Sequence, residues 1–186
     1  MILEPTRLAG VHLLLPEPAR DHRGFFARVY DRDQLAAQGL CTEYPQWSVS
    51  FSTRCGTLRG LHWQDPPYLE TKLLQCIRGA VFDVAVDLRA GSPQFGQCVH
   101  FELSAENRGI AYIPAGFAHG FQTLTDDAEV LYHISAPYNA AAARGLRWND
   151  PALAIPWPAC DERILSERDA ALPGLADIAP IDVASS

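Results

Sequence analysis

The chain has 186 residues, is 48% hydrophobic and carries a formal charge of −7. That length favours one domain with a core of its own, and the composition excludes a disordered chain. The acidic balance excludes general nucleic-acid binding, which needs a basic stripe; a local cluster of Arg and Lys can still attract a small anion into a cleft.

The opening run, MILEPTRLAGVHLLLPEPARD, contains His12, stops at Pro16 and has no basic region before it. It reads as a strand rather than a signal peptide. In DRDQLAAQG, Asp31 or Asp33 as cap and Gly39 as stop predict one short helix. Brief runs rich in Val, Ile, Phe, Tyr and Thr then recur between turn residues. They predict strands over 47–53, 57–64, 73–77, 80–88, 98–103, 110–113, 119–123 and 129–135, with Gly79 as a tight turn. About eight short strands at close spacing predict an all-β fold: a sandwich, a jelly roll or a small barrel. From RWNDPALAIPWP onward prolines become frequent and the strand pattern fades, although Ser166 can start a helical turn in SERDAALPG. No linker or internal repeat is visible. The chain is therefore expected to form a single domain over 1–186, with residues from about 158 onward packed on the barrel.

No apolar run approaches the ~20 residues needed to span a bilayer, and a cytoplasmic protein is expected. The five cysteines, Cys41, Cys55, Cys76, Cys98 and Cys160, are odd in number and widely spaced, with no C-x-x-C. Free thiols in a reducing compartment are the simplest reading.

Two features concern chemistry. In AVFDVAVDL, Asp83 and Asp87 share a strand face with Val81 and Ala85, opposite Phe82, Val84, Val86 and Leu88. Parity alone favours a solvated Asp83. In GTLRGLHWQDP, Arg59 and His62 have opposite parity, and Gly60 between them is a candidate bulge that would turn both toward one cavity.

The stretch IPAGFAHGF, ending its Pro-x-Gly-x-x-His at His119, resembles the second motif of the cupin superfamily of jelly-roll β-barrels. Metal-binding cupins carry a His-x-His pair and a Glu in the first motif. Here Trp63 and Gln64 follow His62, with Glu70 and Lys72 further on. A transition-metal ion prefers neutral imidazoles and carboxylates, and a nearby ammonium opposes it. The sequence thus reads as a cupin without a metal site, leaving His62 and His119 for proton chemistry.

The blocks DHRGFF, GTLRGLHWQDPP, KLLQCIRGAVFDVAVDLRAGSPQFG, LSAENRGIAYIPAGFAHGFQTL and LRWNDPALAIPWP occur in that order. Together they resemble the dTDP-4-dehydrorhamnose 3,5-epimerase family from about Asp21 to Leu172. The resemblance implies epimerisation at C3, C5 or both of a dTDP-linked 4-keto-6-deoxyhexose. The ketone at C4 acidifies the flanking C–H bonds, so a base and an acid suffice and no cofactor is implied. An imidazole suits the base because its ordinary pKa lies near working pH.

By this resemblance His62 is the base, Asp169 the carboxylate that pairs with it, and Tyr132 the acid on the opposite face. Lys72 would stabilise the enolate oxygen. Taken singly, Asp169 would be a helix cap, Tyr132 a core aromatic and Lys72 an exposed lysine. His119 and Asp83 would form a second His–Asp pair in the same cavity. Arg23 and Arg59 fall on the diphosphate side, where a guanidinium fork suits phosphate, and Arg168 stands where the family commonly has lysine. Tyr138 and Phe26 would lie near the nucleotide. The family's dimers exchange N-terminal strands, so Arg23 and Phe26 would serve a partner subunit's site. Three positions depart from the best-known members, all on the ligand-holding side: Arg28 replaces a glutamate, Gln46-Trp47-Ser48 replaces Gln-x-Asn, and an acidic residue near Ala143 is absent. A single-site epimerase, a 3,4-ketoisomerase, a metal-dependent cupin and a non-catalytic nucleotide-sugar-binding cupin remain as other readings.

Overall fold

The β-branched and aromatic runs build thirteen strands among the described residues, 1–185, of the computed structural model. They are β1 (Ile2–Pro5), β2 (His12–Leu15), β3 (Ala19–Asp21), β4 (Gly24–Phe26), β5 (Gln46–Ser52), β6 (Leu58–Gln64) and β7 (Lys72–Arg78). Then follow β8 (Ala80–Asp87), β9 (Cys98–Ser104), β10 (Ile110–Ile113), β11 (Phe117–Thr123), β12 (Ala128–Ile134) and β13 (Ala143–Gly145). Two short α-helices, α1 (Arg32–Ala37) and α2 (Glu167–Ala170), and two 3-10 turns near the C-terminus complete the set.

One sheet has the order β1-β2-β10-β7-β12-β5, the second β13-β6-β11-β8-β9, and β3-β4 is a separate hairpin. The expected all-β jelly roll is present, as an open sandwich and not a closed barrel: the two large sheets face each other without sharing a strand. Side-chain packing rather than a continuous hydrogen-bonded ladder joins them.

Three apolar clusters follow from strand parity. Leu74, Cys76, Val81, Ala85, Phe117, Phe121 and Val130 fill the space between the sheets. Leu61, Trp63, Val84, Val86 and Leu88 point away from that space and meet Leu153, Ile181 and the partly buried Ile155, Trp157 and Leu175. The proline-rich C-terminal segment thus covers the outer face of the five-stranded sheet, and β8 is buried on both sides. On the outer face of the other sheet, Leu14, Leu73, Ile110 and Tyr112 pack with Leu35 of α1. The helix starts as its sequence predicts: the Asp31 side chain accepts from the backbone N–H groups of Asp33 and Gln34.

That outer cover stops short of β5. Its serines, Ser48, Ser50 and Ser52, face inward, whereas Trp47 and Val49 face out with 69% and 61% of their surface exposed. No helix among the described residues is long and apolar enough to cross a membrane.

Candidate active site

Between the sheets opens a cavity of about 610 Å³, lined by residues that include Ser48, Ser50, Arg59, His62, Tyr132, Ile134, Arg168 and Asp169. Its chemistry depends on one irregularity in β6. On β11, His119 pairs with His62 and Phe121 with Arg59, so Gly60 and Leu61 of β6 oppose Gly120 alone on β11. This bulge at Gly60 brings Arg59 to the same face as His62, as the sequence suggested. Gly60 has φ +132°, and a Cβ there would lie 2.6 Å from the Gly120 Cα. Two glycines thus let β6 and β11 approach closely where the strand changes register.

The bulge also aims a donor. Gly60 N–H donates to Asp169 Oδ2 at 3.2 Å, while His62 Nε2 lies 2.7 Å from Asp169 Oδ1. Asp169 comes from α2, whose first turn is fixed by its N–H donating to Ser166 Oγ at 3.1 Å. The segment before α2 is tied to β6 by Leu58 N–H to Ile164 O at 2.8 Å. Burial pushes the Asp169 carboxyl up, but the His62 hydrogen bond and charge, the Gly60 N–H and Arg168 outweigh it, and the net shift is below the ordinary carboxylate range. An ionised Asp169 makes Nε2 the protonated ring nitrogen and leaves the lone pair on Nδ1.

The opposite wall belongs to the six-stranded sheet. Tyr132 on β12 faces inward, and burial drives its phenol well above the ordinary value; the Ser50 hydroxyl opposes this, the Asp83 charge adds to it, and Arg59 opposes it. The phenol therefore holds its proton throughout the neutral range. Lys72 on β7 is buried; its Nζ is 2.8 Å from Glu70 Oε1 and donates to the His62 carbonyl at 3.3 Å. Arg59 reaches across the sandwich to donate to Ser52 Oγ at 3.1 Å and Phe51 O at 3.0 Å.

Asp83 corrects the parity expectation. It is 0% exposed, because its face of β8 turns toward the inter-sheet space and not toward water. There its Oδ2 sits 2.7 Å from His119 Nε2. The His119 ring in turn meets Tyr132 edge-on, with centroids 6.3 Å apart. Among the described residues no group of three or more His, Cys, Asp or Glu is placed to hold a metal ion.

Within one chain the structure thus gathers His62, Asp169, Tyr132, Ser48, Arg59 and Arg168 around one cavity, with Lys72 and the His119–Asp83 pair packed behind His62 and Tyr132. The other expected ligand contacts lie apart. Arg23 pairs with Asp21 on the exposed β3–β4 hairpin, beside Phe26, which is 77% exposed. Arg28 pairs with Asp31. Gln46 accepts from the Tyr138 backbone N–H at 2.8 Å, and the Tyr138 ring is exposed. Ala143 stands at the sheet edge opposite Gln64. Sequence reasoning missed Ser50 and Ser52. Their signal was the alternation of serine with Trp47, Val49 and Phe51, which inverts the usual order of a half-buried strand.

The dTDP-4-dehydrorhamnose 3,5-epimerase family model matches residues 5–177. A dTDP-4-dehydrorhamnose 3,5-epimerase from Sinorhizobium fredii is 43% identical over 182 residues, 96% of this chain and 91% of the relative. A dTDP-4-dehydrorhamnose 3-epimerase from Streptomyces niveus is 40% identical over 170 residues, 91% of this chain and 81% of the relative. Among solved structures, the dTDP-6-deoxy-D-glucose-3,5-epimerase of Legionella pneumophila in complex with dTDP-4-keto-L-rhamnose superposes with a TM-score of 0.91 at 36% identity, covering 97% of each chain. Sequence, fold and cavity agree, and the chain belongs to the dTDP-4-dehydrorhamnose 3,5-epimerase family.

Proposed function

We propose that the protein epimerises dTDP-4-dehydro-6-deoxy-D-glucose at C3 and C5 to give dTDP-4-dehydro-L-rhamnose. The observation that carries this reading is the placement of a His–Asp pair and a half-buried phenol on opposite sheets around one cavity. An epimerase needs that arrangement, because the proton must leave one face of the sugar and return on the other. His62, held in one tautomer by Asp169, takes the proton beside the C4 carbonyl. Tyr132 delivers a proton from the far wall. Lys72 faces the developing enolate oxygen, where a cation in a dry site lowers the barrier; Glu70 at 2.8 Å keeps that ammonium in place. Ser48 contacts the sugar or nucleotide, with His119 held behind it by Asp83, and Arg59 and Arg168 take the diphosphate. Proton removal and return are redox-neutral, so the balance calls for no electron acceptor.

The test is proton exchange. In deuterium oxide with dTDP-4-keto-6-deoxyglucose, NMR should follow wash-in at both C3 and C5. Wash-in at C3 alone would make the enzyme a 3-epimerase like its Streptomyces niveus relative, and no wash-in would overturn the reading. Tyr132→Phe should retain part of the exchange but lose net inversion by about 10²-fold or more, since the base remains and the opposite-face acid is gone.

The same reading includes a homodimer and a single folding unit over the whole chain. Trp47, Val49 and Phe51 form an exposed apolar stripe on β5, joined by Ile77 on β7. A second copy of the chain is the occupant we assign to that face, and its β3–β4 hairpin would bring Arg23 and Phe26 to the cavity from across the interface, with Arg28 and Tyr138 nearby. Light scattering is expected to report a dimer. Val49→Asp with Phe51→Asp should give a monomer whose KM rises more than its kcat falls, because the lost contacts hold nucleotide rather than move protons.

A further inference from the structure

Gln64 is 2% exposed and shares the parity of His62 on β6, opposite the outward Trp63. It stands past the last pair of β6 with β11, against Ala143 of β13, where the strand end meets two loops. Its side-chain hydrogen bonds go into those loops. Nε2 donates to Glu70 Oε2 at 3.0 Å, to Tyr68 O at 3.1 Å and to Pro137 O at 3.2 Å, and Oε1 accepts from the Asn139 N–H at 2.6 Å. The partners dictate this orientation: the reverse would set one oxygen against three, and an NH2 against an N–H. Resting on the epimerase reading above, we propose that Gln64 is a positioning residue for that reaction. It holds Glu70 so that Glu70 holds the Lys72 ammonium on the enolate oxygen.

The Glu70 carboxylate is divided between two donors. Oε1 lies 2.8 Å from Lys72 Nζ, and Oε2 accepts from Gln64. Lys72 in turn donates to the His62 carbonyl at 3.3 Å. These contacts close a ring: from His62 along β6 to Gln64, across to Glu70, on to Lys72 and back to His62. An ammonium has three donors. Two are committed within the ring, which leaves the third for the oxygen of the substrate.

Without the amide, Glu70 Oε2 would be a nearly buried charged oxygen lacking its second donor. The carboxylate would turn toward water or toward Lys72, and the ammonium would move with it. A neutral amide suits position 64. A cation there would compete with Lys72 for the same carboxylate, and a second carboxylate would repel it. The same amide pins Pro137 and Asn139, on either side of Tyr138. That tie does not pass through Glu70, so its loss is read in KM.

The experiment is a double-mutant cycle of Gln64→Met and Glu70→Met, two replacements of similar length. It is read by kcat and KM for dTDP-4-keto-6-deoxyglucose and by deuterium wash-in. Thermal unfolding fixes a temperature at which all four proteins are folded. Gln64→Met alone should lower kcat about tenfold or more, the scale of a misplaced reacting group. Wash-in should slow at C3 and C5 alike, because both enolates carry their charge on the C4 oxygen. In the Glu70→Met background the same change should leave kcat within about twofold, since nothing remains for the amide to hold. KM should rise with Gln64→Met in both backgrounds. A kcat loss of equal factor in the two backgrounds would make Gln64 a packing residue and overturn the proposal, as would an unchanged kcat in Gln64→Met. If Gln64→Met does not fold, Gln64→Glu combined with Glu70→Gln reverses donor and acceptor at the same total charge. That exchange should regain the kcat that Gln64→Glu alone loses, and no recovery overturns the proposal. Absence of wash-in with wild type would instead remove the epimerase reading beneath it.

Discussion

His62→Ala is expected to abolish deuterium wash-in at both C3 and C5, with kcat falling about 10²–10⁴-fold or more, the range associated with a general base. Both positions should fail together, because the cavity offers one imidazole held by a carboxylate at its open wall. His119 is also held by a carboxylate, but its side chain is 5% exposed against 37% for His62, so it is packed behind the cavity wall and not open to the sugar. The variant should fold, since the His62 side chain is 37% exposed and its removal leaves Asp169 the Gly60 and Arg168 contacts. His62→Asn, closer in shape, should be equally inactive; equal loss separates missing basicity from missing volume. Retained exchange in His62→Ala would assign the base elsewhere.

The second large effect is on the fold itself. Gly60→Ala places a methyl group 2.6 Å from the Gly120 Cα and 3.0 Å from the His119 carbonyl oxygen. Both are backbone, so no rotamer change relieves the contact. Overpacking costs about 1–3 kcal/mol, and a left-handed backbone conformation about 1–2 kcal/mol for a residue with a Cβ. A loss of about 3 kcal/mol or more, and of roughly 10 °C in Tm, follows for a chain of this size. Activity should fall further than stability explains, because the same residue donates to Asp169 and sets the register that faces Arg59 and His62 inward together. Thermal unfolding alongside kcat at a temperature where the variant is folded checks both effects. A variant with native Tm would mean that β6 and β11 can separate without cost.

Legibility in the sequence followed the range of the interactions. The strands from β5 to β12 were visible within a residue or two, because each is a short apolar run bounded by turn residues. Asp31 and Ser166 announced the two helix starts, being local hydrogen-bond chemistry. The choice between barrel and sandwich depends on pairing between distant sheet edges, and nothing in a short window reports it. For the same reason parity alone misplaces Asp83: it gives the face but not what covers it, and the C-terminal segment takes the apolar side; likeness to the family is what pairs Asp83 with His119. The partnership of His62 with Asp169, 107 residues apart, came only from likeness to a family. The bulge at Gly60 was the exception, a long-range feature betrayed by one glycine between two polar residues. Ser50 left a fainter trace, an inward serine between the outward Val49 and Phe51.

Asp169 sits on the last short helix, and the strand that carries its partner lies in the first half of the chain. During synthesis the ribosome releases the whole sandwich before it releases this carboxylate. The same tail that brings the carboxylate also covers the outer face of the five-stranded sheet, so a cut between β13 and α2 would remove Asp169 and Arg168 from the cavity and bare Leu61, Trp63 and Val86 together.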